Sequence, residues 1–196
     1  RELLEERRHQ VVTDAQTVNP VLNGGLEMPV EVTMDLTGVE DGREVSVTYS
    51  CCEEKGCRKG KAVLRACGKT FLFRALMTLV RELERKGTDD SFEKKETVYL
   101  DKNGTMLDCS RNSVLNVETI KKYIRIQAAL GMNTMMLYTE DTYEVPEYPY
   151  FGAFRGRYTK EELAECDNYA ALFGIEMIPC IQALAHLKTA LRWDVM

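Results

Sequence analysis

Apolar positions follow two regimes along this chain, and the change comes near residue 100. Before it the runs are short and mostly alternating. Val30–Leu36 alternates apolar with polar side chains and predicts a strand; Glu44–Ser50 does the same. Gly38–Gly42 turns between them, so the pair predicts a β-hairpin. Lys61–Cys67 predicts a third short strand, Glu96–Leu100 a further one, and Asn103-Gly104 a turn. Phe71–Lys86 carries Leu72, Leu76, Leu79, Val80 and Leu83 at three- and four-residue steps. That spacing predicts an amphipathic helix, which Gly87 would end. Residues 1–16 predict an exposed charged helix, and Asn23-Gly24-Gly25 a turn.

From Thr105 the pattern becomes a repeat of strand, loop and helix. Met106–Cys109, Thr134–Tyr138 and Ile175–Ile181 are apolar runs of strand length. Asn116 can cap a helix that buries Val117, Ile120, Ile124 and Ala128 and stops at Gly131. Thr159-x-x-Glu162 is a capping box for a second helix, with Leu163, Cys166, Ala170 and Phe173 inside and Gly174 at its end. Such units imply a parallel sheet with right-handed crossovers. The fold class is therefore α/β: a small α+β domain over residues 1–100, then β/α units over 101–196.

In folds of this kind ligands sit at the carboxyl ends of the strands. Asp108, Ser110, Arg111 and Asn112 follow the first run; Thr139, Glu140, Asp141 and Tyr143 the second; Gln182 and His186 the third. Three separate loops thus bring carboxylates, a guanidinium and an imidazole to one end of the sheet. That is a site for a polar ligand with acid/base capacity. Each residue also has a purely structural role open to it. Arg111 can pair with Asp108 to hold its loop, Glu140 and Asp141 can be a solvated pair, and His186 can lie on a helix surface. The loop Glu144–Tyr158 adds Tyr148, Tyr150, Phe151, Phe154 and Tyr158 with Arg155 and Arg157. Rings suit the apolar faces of sugars and arginines suit their hydroxyls, although a packed loop or subunit contact uses the same residues.

Composition narrows the choice of partner. A net charge of −5 over 196 residues argues against nucleic acid or an anionic membrane surface. No apolar run reaches bilayer-spanning length. The seven cysteines are odd in number and irregularly spaced. They predict free thiols in a reducing compartment, hence a cytoplasmic protein. The chain opens on Arg1 within a helical pattern, so its native start is expected upstream.

Five blocks carry a family resemblance: Met106–Asn112, Leu137–Glu144, Tyr150-Phe-Gly with Arg155-Gly-Arg-Tyr158, Pro179-Cys-Ile-Gln, and Ala185-His-Leu187. Through them the stretch Gly104–Trp193 resembles glycoside hydrolase family 20, the β-N-acetylhexosaminidases, and is most similar to a bacterial branch of exo-acting enzymes. The earlier residues are more loosely similar to the small α+β domain that precedes the barrel, with Phe73-Arg-Ala-Leu76 the most similar part. The resemblance implies removal of terminal β-linked N-acetylglucosamine or N-acetylgalactosamine with retention, the substrate's acetamido oxygen acting as nucleophile. It implies that Arg111 grips hydroxyls of the terminal sugar. Glu140 or Asp141 would be a supporting carboxylate, and His186 would communicate with it. It calls for no metal and no cofactor.

One departure stands out. The family's catalytic Asp-Glu pair follows the fourth barrel strand, and no Asp-Glu dipeptide occurs in this sequence. A (β/α)8 TIM barrel takes about 250 residues, so Gly104–Met196 holds about three of its units. An incomplete barrel is expected, with an exposed edge strand that promotes self-association, and no turnover by this chain alone. The alternative is a non-catalytic sugar-binding or interaction protein derived from that barrel. Two further rivals fail on spacing. Cys67-Gly68-Lys69-Thr70 resembles the end of a P-loop, but Val63 stands where its first Gly is required. Cys51, Cys52, Cys57 and Cys67 contain no Cys-x-x-Cys pair and have no nearby His for a zinc site.

Overall fold

A computed structural model of the chain describes residues 16–18, 30–36, 42–54, 56–111, 113–182, 185–186, 188 and 190–192. The protein is mixed α/β and divides into two units, Arg1–Tyr99 and Leu100–Met196. The expected turn at Asn23-Gly24-Gly25, most of the Gly38–Gly42 turn, and residues 1–15 of the expected first helix lie outside the described residues. Gln16, assigned to that helix from its pattern, instead opens a strand.

The first unit is built on strands β1 (Gln16–Val18), β2 (Val30–Asp35), β3 (Glu44–Glu54), β4 (Cys57–Ala66) and β5 (Phe92–Thr97). Their order in the sheet is β1-β2-β4-β3-β5. The expected hairpin between β2 and β3 does not form. β4 lies between them, parallel to β2 from Val30↔Gly60 to Asp35↔Arg65 and antiparallel to β3 from Val45↔Ala66 to Glu54↔Cys57. The actual hairpin turns at Gly56, whose φ of 78° is accessible at little cost without a Cβ. β3 and β4 run well past the alternating stretches, because ladder bonds need no apolar face to continue through Cys51–Lys59.

The last strand of this sheet is Phe92–Thr97, not Glu96–Leu100. Tyr49 explains the shift. It is 1% exposed, its hydroxyl donates to Thr88 O at 2.8 Å, and its ring stacks on Phe92 at 5.3 Å. Burial pushes that hydroxyl up to about 12. Anchoring Phe92 opposite Tyr49 sets the register of β5 and leaves Tyr99 and Leu100 exposed. Helix α1 (Lys69–Lys86) lays Leu72, Ala75, Leu79 and Leu83 on the apolar face made by Val30, Val45, Val47, Leu64 and their neighbours. Gly87 ends it, donating its N–H to Leu83 O at 2.8 Å. The other face carries exposed Thr33, Thr48, Ser50, Lys61, Arg65 and Lys95.

The second unit alternates β6 (Gly104–Asp108), α2 (Val117–Leu130), β7 (Thr134–Tyr138), α3 (Lys160–Leu172) and β8 (Glu176–Cys180). The three strands are parallel, in the order β6-β7-β8. Asn116 Oδ1 accepts from Thr119 N–H at 2.9 Å, and Gly131 ends α2 in the left-handed region. The Thr159/Glu162 capping box is formed in both directions. Ile120, Ile124 and Ala128 are buried as expected, joined by Gln127, whose amide donates to Thr105 Oγ1.

Two expectations change here. Gly104 is not a turn but the first residue of β6, and an added Cβ would sit 1.8 Å from Thr134 O. The third strand is shorter than Ile175–Ile181, with Ile181 57% exposed. Within β8, Glu176 N–H donates to Asn133 O and Cys180 O accepts from Thr139 N–H. The alternation of strand bonding then points the position of Pro179 away from β7, so its missing N–H costs no bond in the ladder. Register rows are apolar on both faces: Met106, Met136 and Ile178 on one, Leu107, Leu137 and Pro179 on the other. That two-sided pattern belongs to parallel sheets.

The six cysteines whose side chains are described are free thiols, and burial pushes Cys166 up to about 11. Among the described residues no helix is long and apolar enough to cross a membrane.

Candidate functional site

The loops after β6, β7 and β8 are tied to one another before any ligand is considered. Thr142, fully buried, donates its hydroxyl to Cys109 O at 3.0 Å and shares it with Thr139 O at 2.8 Å, joining the first loop to the second. Gln182 Oε1 accepts Glu140 N–H at 2.8 Å, joining the third loop to the second. Tyr158 closes the long loop by donating to Leu115 O at 2.6 Å, and burial raises its hydroxyl pKa.

Asp108 is the pivot of the first loop. It accepts from Ser110 Oγ at 2.7 Å, from Ser110 N–H at 2.9 Å and from Arg111 N–H at 3.3 Å, and pairs with Arg111 Nη1 at 2.9 Å. The hydroxyl and amide of Ser110, then Arg111, hold its carboxyl down at about 2. Pairing with Asp108 does not occupy Arg111 fully. Its Nη2 also lies 3.7 Å from Glu140 Oε1, its guanidinium stands over the Tyr138 ring at 5.2 Å, and its side chain is 56% exposed. One arginine is thus both loop anchor and open donor.

Glu140 and Asp141 are not a solvated pair. Thr139, Glu140, Asp141 and Thr142 are 5%, 7%, 3% and 0% exposed. Burying two adjacent carboxylates is costly unless cations face them. Arg155 faces both, with Nη1 2.9 Å from Asp141 Oδ1 and 3.8 Å from Glu140 Oε2. The close contact is an ion pair by distance, but among the described residues no hydrogen bond is aimed at Asp141 Oδ1. His186 Nδ1 lies 3.8 Å from Glu140 Oε1, and its ring meets the edge of Tyr138. Glu140 therefore has Arg111, Arg155 and His186 around it, each beyond hydrogen-bonding distance.

The backbone is strained at the same place. Among the described residues only three non-glycines have positive φ: Glu140 (50°), Phe154 (65°) and His186 (62°). All three belong to this cluster or its rim. A cavity of about 680 Å³ opens here, lined by Ser110, Arg111, Glu140, Phe154, Arg155 and Arg192 among others. Its wall offers guanidinium donors beside a buried carboxylate acceptor, the combination that binds vicinal hydroxyls in paired hydrogen bonds. Among the described residues no three His, Cys, Asp or Glu side chains are grouped to hold a metal ion.

Of the residues singled out from the sequence, Arg111 and His186 both approach Glu140, and Asp141 is joined to Glu140 through Arg155. Asn112 and Leu187 lie outside the described residues. Arg155 is the member sequence reasoning did not assign to the acidic pair. It stands fifteen positions from Glu140 in an aromatic loop, and only the need to neutralise a buried carboxylate pair could have pointed to it. Gly152 makes the approach possible: a Cβ there would fall 2.2 Å from Asp141 O.

Residues 103–194 match the model of the glycosyl hydrolase family 20 catalytic domain. Among solved structures the chain is similar to a β-N-acetylhexosaminidase from Bacteroides fragilis NCTC 9343, at 24% identity and a TM-score of 0.60, over 82% of this chain and 34% of that one. A β-N-acetylhexosaminidase from Streptomyces coelicolor A3(2) matches at 21% and 0.61, over 82% and 36%. An exo-β-N-acetylglucosaminidase from Vibrio harveyi, solved with N-acetylglucosamine, matches at 20% and 0.59, over 83% and 28%. At these identities the likeness is one of fold, and the chain spans about a third of the length of each structure. No curated protein matches the chain.

Proposed function

We propose, from the premise that residues 103–194 belong to glycosyl hydrolase family 20, that the second unit is one wall of a site for terminal β-linked N-acetylhexosamine. The observation that carries the reading is the convergence of Arg111, Arg155 and His186 on Glu140 at the ends of three parallel strands. In it, Arg111 donates to hydroxyls of the terminal sugar. Glu140, held buried with its amide pinned by Gln182, is the supporting carboxylate and accepts from one of those hydroxyls. Asp141 pairs with Arg155 and fixes the loop. His186, edge-on to Tyr138 and 3.8 Å from Glu140 Oε1, is the third-strand histidine that communicates with that carboxylate.

The reaction of the whole enzyme in this reading is exo-hydrolysis with retention, assisted by the substrate's acetamide. It needs an Asp-Glu pair that this sequence does not contain. The chain alone accordingly binds sugar without turning it over, as a partial barrel of three β/α units. Titration calorimetry with N-acetylglucosamine is expected to show binding that Arg111→Ala abolishes, with no release of phenol from an aryl β-N-acetylglucosaminide. Binding unaffected by Arg111→Ala overturns the assignment, and Arg111-dependent turnover overturns the inactivity.

The same reading includes self-association. Among the described residues the outer edge of β8 pairs with no strand. Pro179 blunts that edge by removing one donor, but the Met177 amide still faces outward, beside exposed Ile181. Sedimentation velocity over a concentration series is expected to show association. A monomer that unfolds in one cooperative step at every concentration sinks this part.

A further inference from the structure

Arg111 Nη2 and His186 Nδ1 stop 3.7 Å and 3.8 Å from the same oxygen, Glu140 Oε1. A cationic N–H free to close on a carboxylate comes to about 2.8 Å. Both groups are thus held short of the bond they could make. The Glu140 backbone is fixed, because Gln182 Oε1 accepts its N–H at 2.8 Å. Arg155 stands off Glu140 for a different reason: its Nη1 is engaged by Asp141 at 2.9 Å.

One side chain touches Arg111, Glu140 and His186 alike. Tyr138 is the last residue of β7, the middle strand, where it pairs with Asp108 of β6 and Cys180 of β8. From that position a single ring meets the loops of both neighbouring strands. The Arg111 guanidinium stands over it at 5.2 Å, and His186 meets it edge-on at 6.4 Å. The Tyr138 hydroxyl points at Glu140 Oε1 at 3.5 Å. Attraction between the guanidinium and the ring face holds Arg111 in this place, with its Nη1 anchored on Asp108 at 2.9 Å.

The spacing matters for binding. A direct Arg111–Glu140 pair would spend the donor and the acceptor on each other, and a neutral hydroxyl would have to compete with a charge-assisted bond. We propose that Tyr138 is the positioning residue of this site: its ring keeps Arg111 and His186 off Glu140, so that guanidinium and carboxylate both stay open to hydroxyls of one sugar. This deepens the sugar-site reading and rests on it.

The test uses the full chain and three variants. Tyr138→Phe keeps the ring, Tyr138→Leu removes it, and Tyr138→Met removes it at closer to the original volume, should the leucine variant fail to fold. Calorimetry with N-acetylglucosamine is expected to give equal binding for wild type and Tyr138→Phe. Binding about tenfold weaker is expected for the two variants without a ring. Their crystal structures, without sugar, should show Arg111 Nη2 closed on Glu140 at about 2.8 Å. A merely structural Tyr138 would lower the melting temperature and leave that contact open. An open contact in both ringless variants overturns the spacer and leaves the sugar site standing. Binding lost in Tyr138→Phe as fully as in Tyr138→Leu also overturns it, by assigning the role to the hydroxyl. No binding by wild type overturns the sugar site, and with it the part the spacer plays in binding.

Discussion

In the first unit one face of the sheet is apolar beneath α1 and the other presents Thr48, Ser50, Lys61 and Arg65 to solvent. In the second unit both faces of the sheet are apolar, and the polar residues gather at the strand ends. The first arrangement leaves charged pairs at the surface, such as Arg58–Asp89 and Arg65–Asp35, where they contribute little. The second buries Ser110, Thr139, Glu140, Asp141 and Thr142 in consecutive loops, a costly use of polar groups that needs Arg155 to hold it. All three positive-φ non-glycines among the described residues lie in the second unit. In the second unit the buried polar groups stand in the loops that follow the strands, where they hold donors and acceptors in place.

The sharpest way to break this contrast is to remove one arginine from each unit. Arg155→Met leaves Asp141 and Glu140 buried without their guanidinium and is expected to cost about 3 kcal/mol. Arg74→Met breaks a pair of equal length, Arg74–Glu96 at 2.9 Å, in which both side chains are about a third exposed. It should cost about 1 kcal/mol. Urea unfolding of both variants gives the answer, and equal losses would erase the distinction.

Glycines extend it. Gly104→Ala drives a methyl into the backbone of Thr134 and should cost about 2 kcal/mol, with faster amide exchange along β7. Gly60→Ala meets only side-chain atoms of Tyr49 and Val30, so a cost of about 1 kcal/mol is expected. Next come two turns of opposite sign. Phe154→Gly should stabilise by about 1 kcal/mol by releasing strain, whereas Gly56→Ala should destabilise by about as much because it creates strain at φ 78°. Thermal melts read both. A loss of stability in Phe154→Gly would show that the ring serves packing.

The smallest effect is in pH. Asp108 has its carboxyl held at about 2 in the folded chain, against an ordinary value of 3.8. The folded state therefore binds fewer protons than the unfolded one between those values. Its contribution to stability is complete above about pH 4 and is lost as pH falls toward 2. Asp108→Asn should flatten melting temperature against pH in that window and leave the profile above it unchanged.

Local signals carried much of the second unit. The Asn116 cap, the Thr159/Glu162 box, Gly131 and the strand Thr134–Tyr138 all depend on residues within a few positions of one another. The four site residues were legible for a related reason: topology alone sends the ends of parallel strands to one side. The first unit was harder. Which strand lies beside β2 depends on competition between β3 and β4 for the same edge, and nothing in the alternation of either decides it. β5 moved because a stack between Tyr49 and Phe92, far apart in sequence, outweighed the pattern at Glu96–Leu100.

By itself the sequence determined where α2 and α3 begin, where α1 and α2 end, that the second sheet is parallel, and which residues stand at its carboxyl end, because those follow from neighbours along the chain. Only the tertiary structure decided that Glu140 and Asp141 are buried, that Arg155 neutralises them, and that Phe154 stands strained at the cavity rim. Burial and charge pairing depend on what the rest of the fold brings within a few ångströms, and spacing along the chain carries no record of that distance.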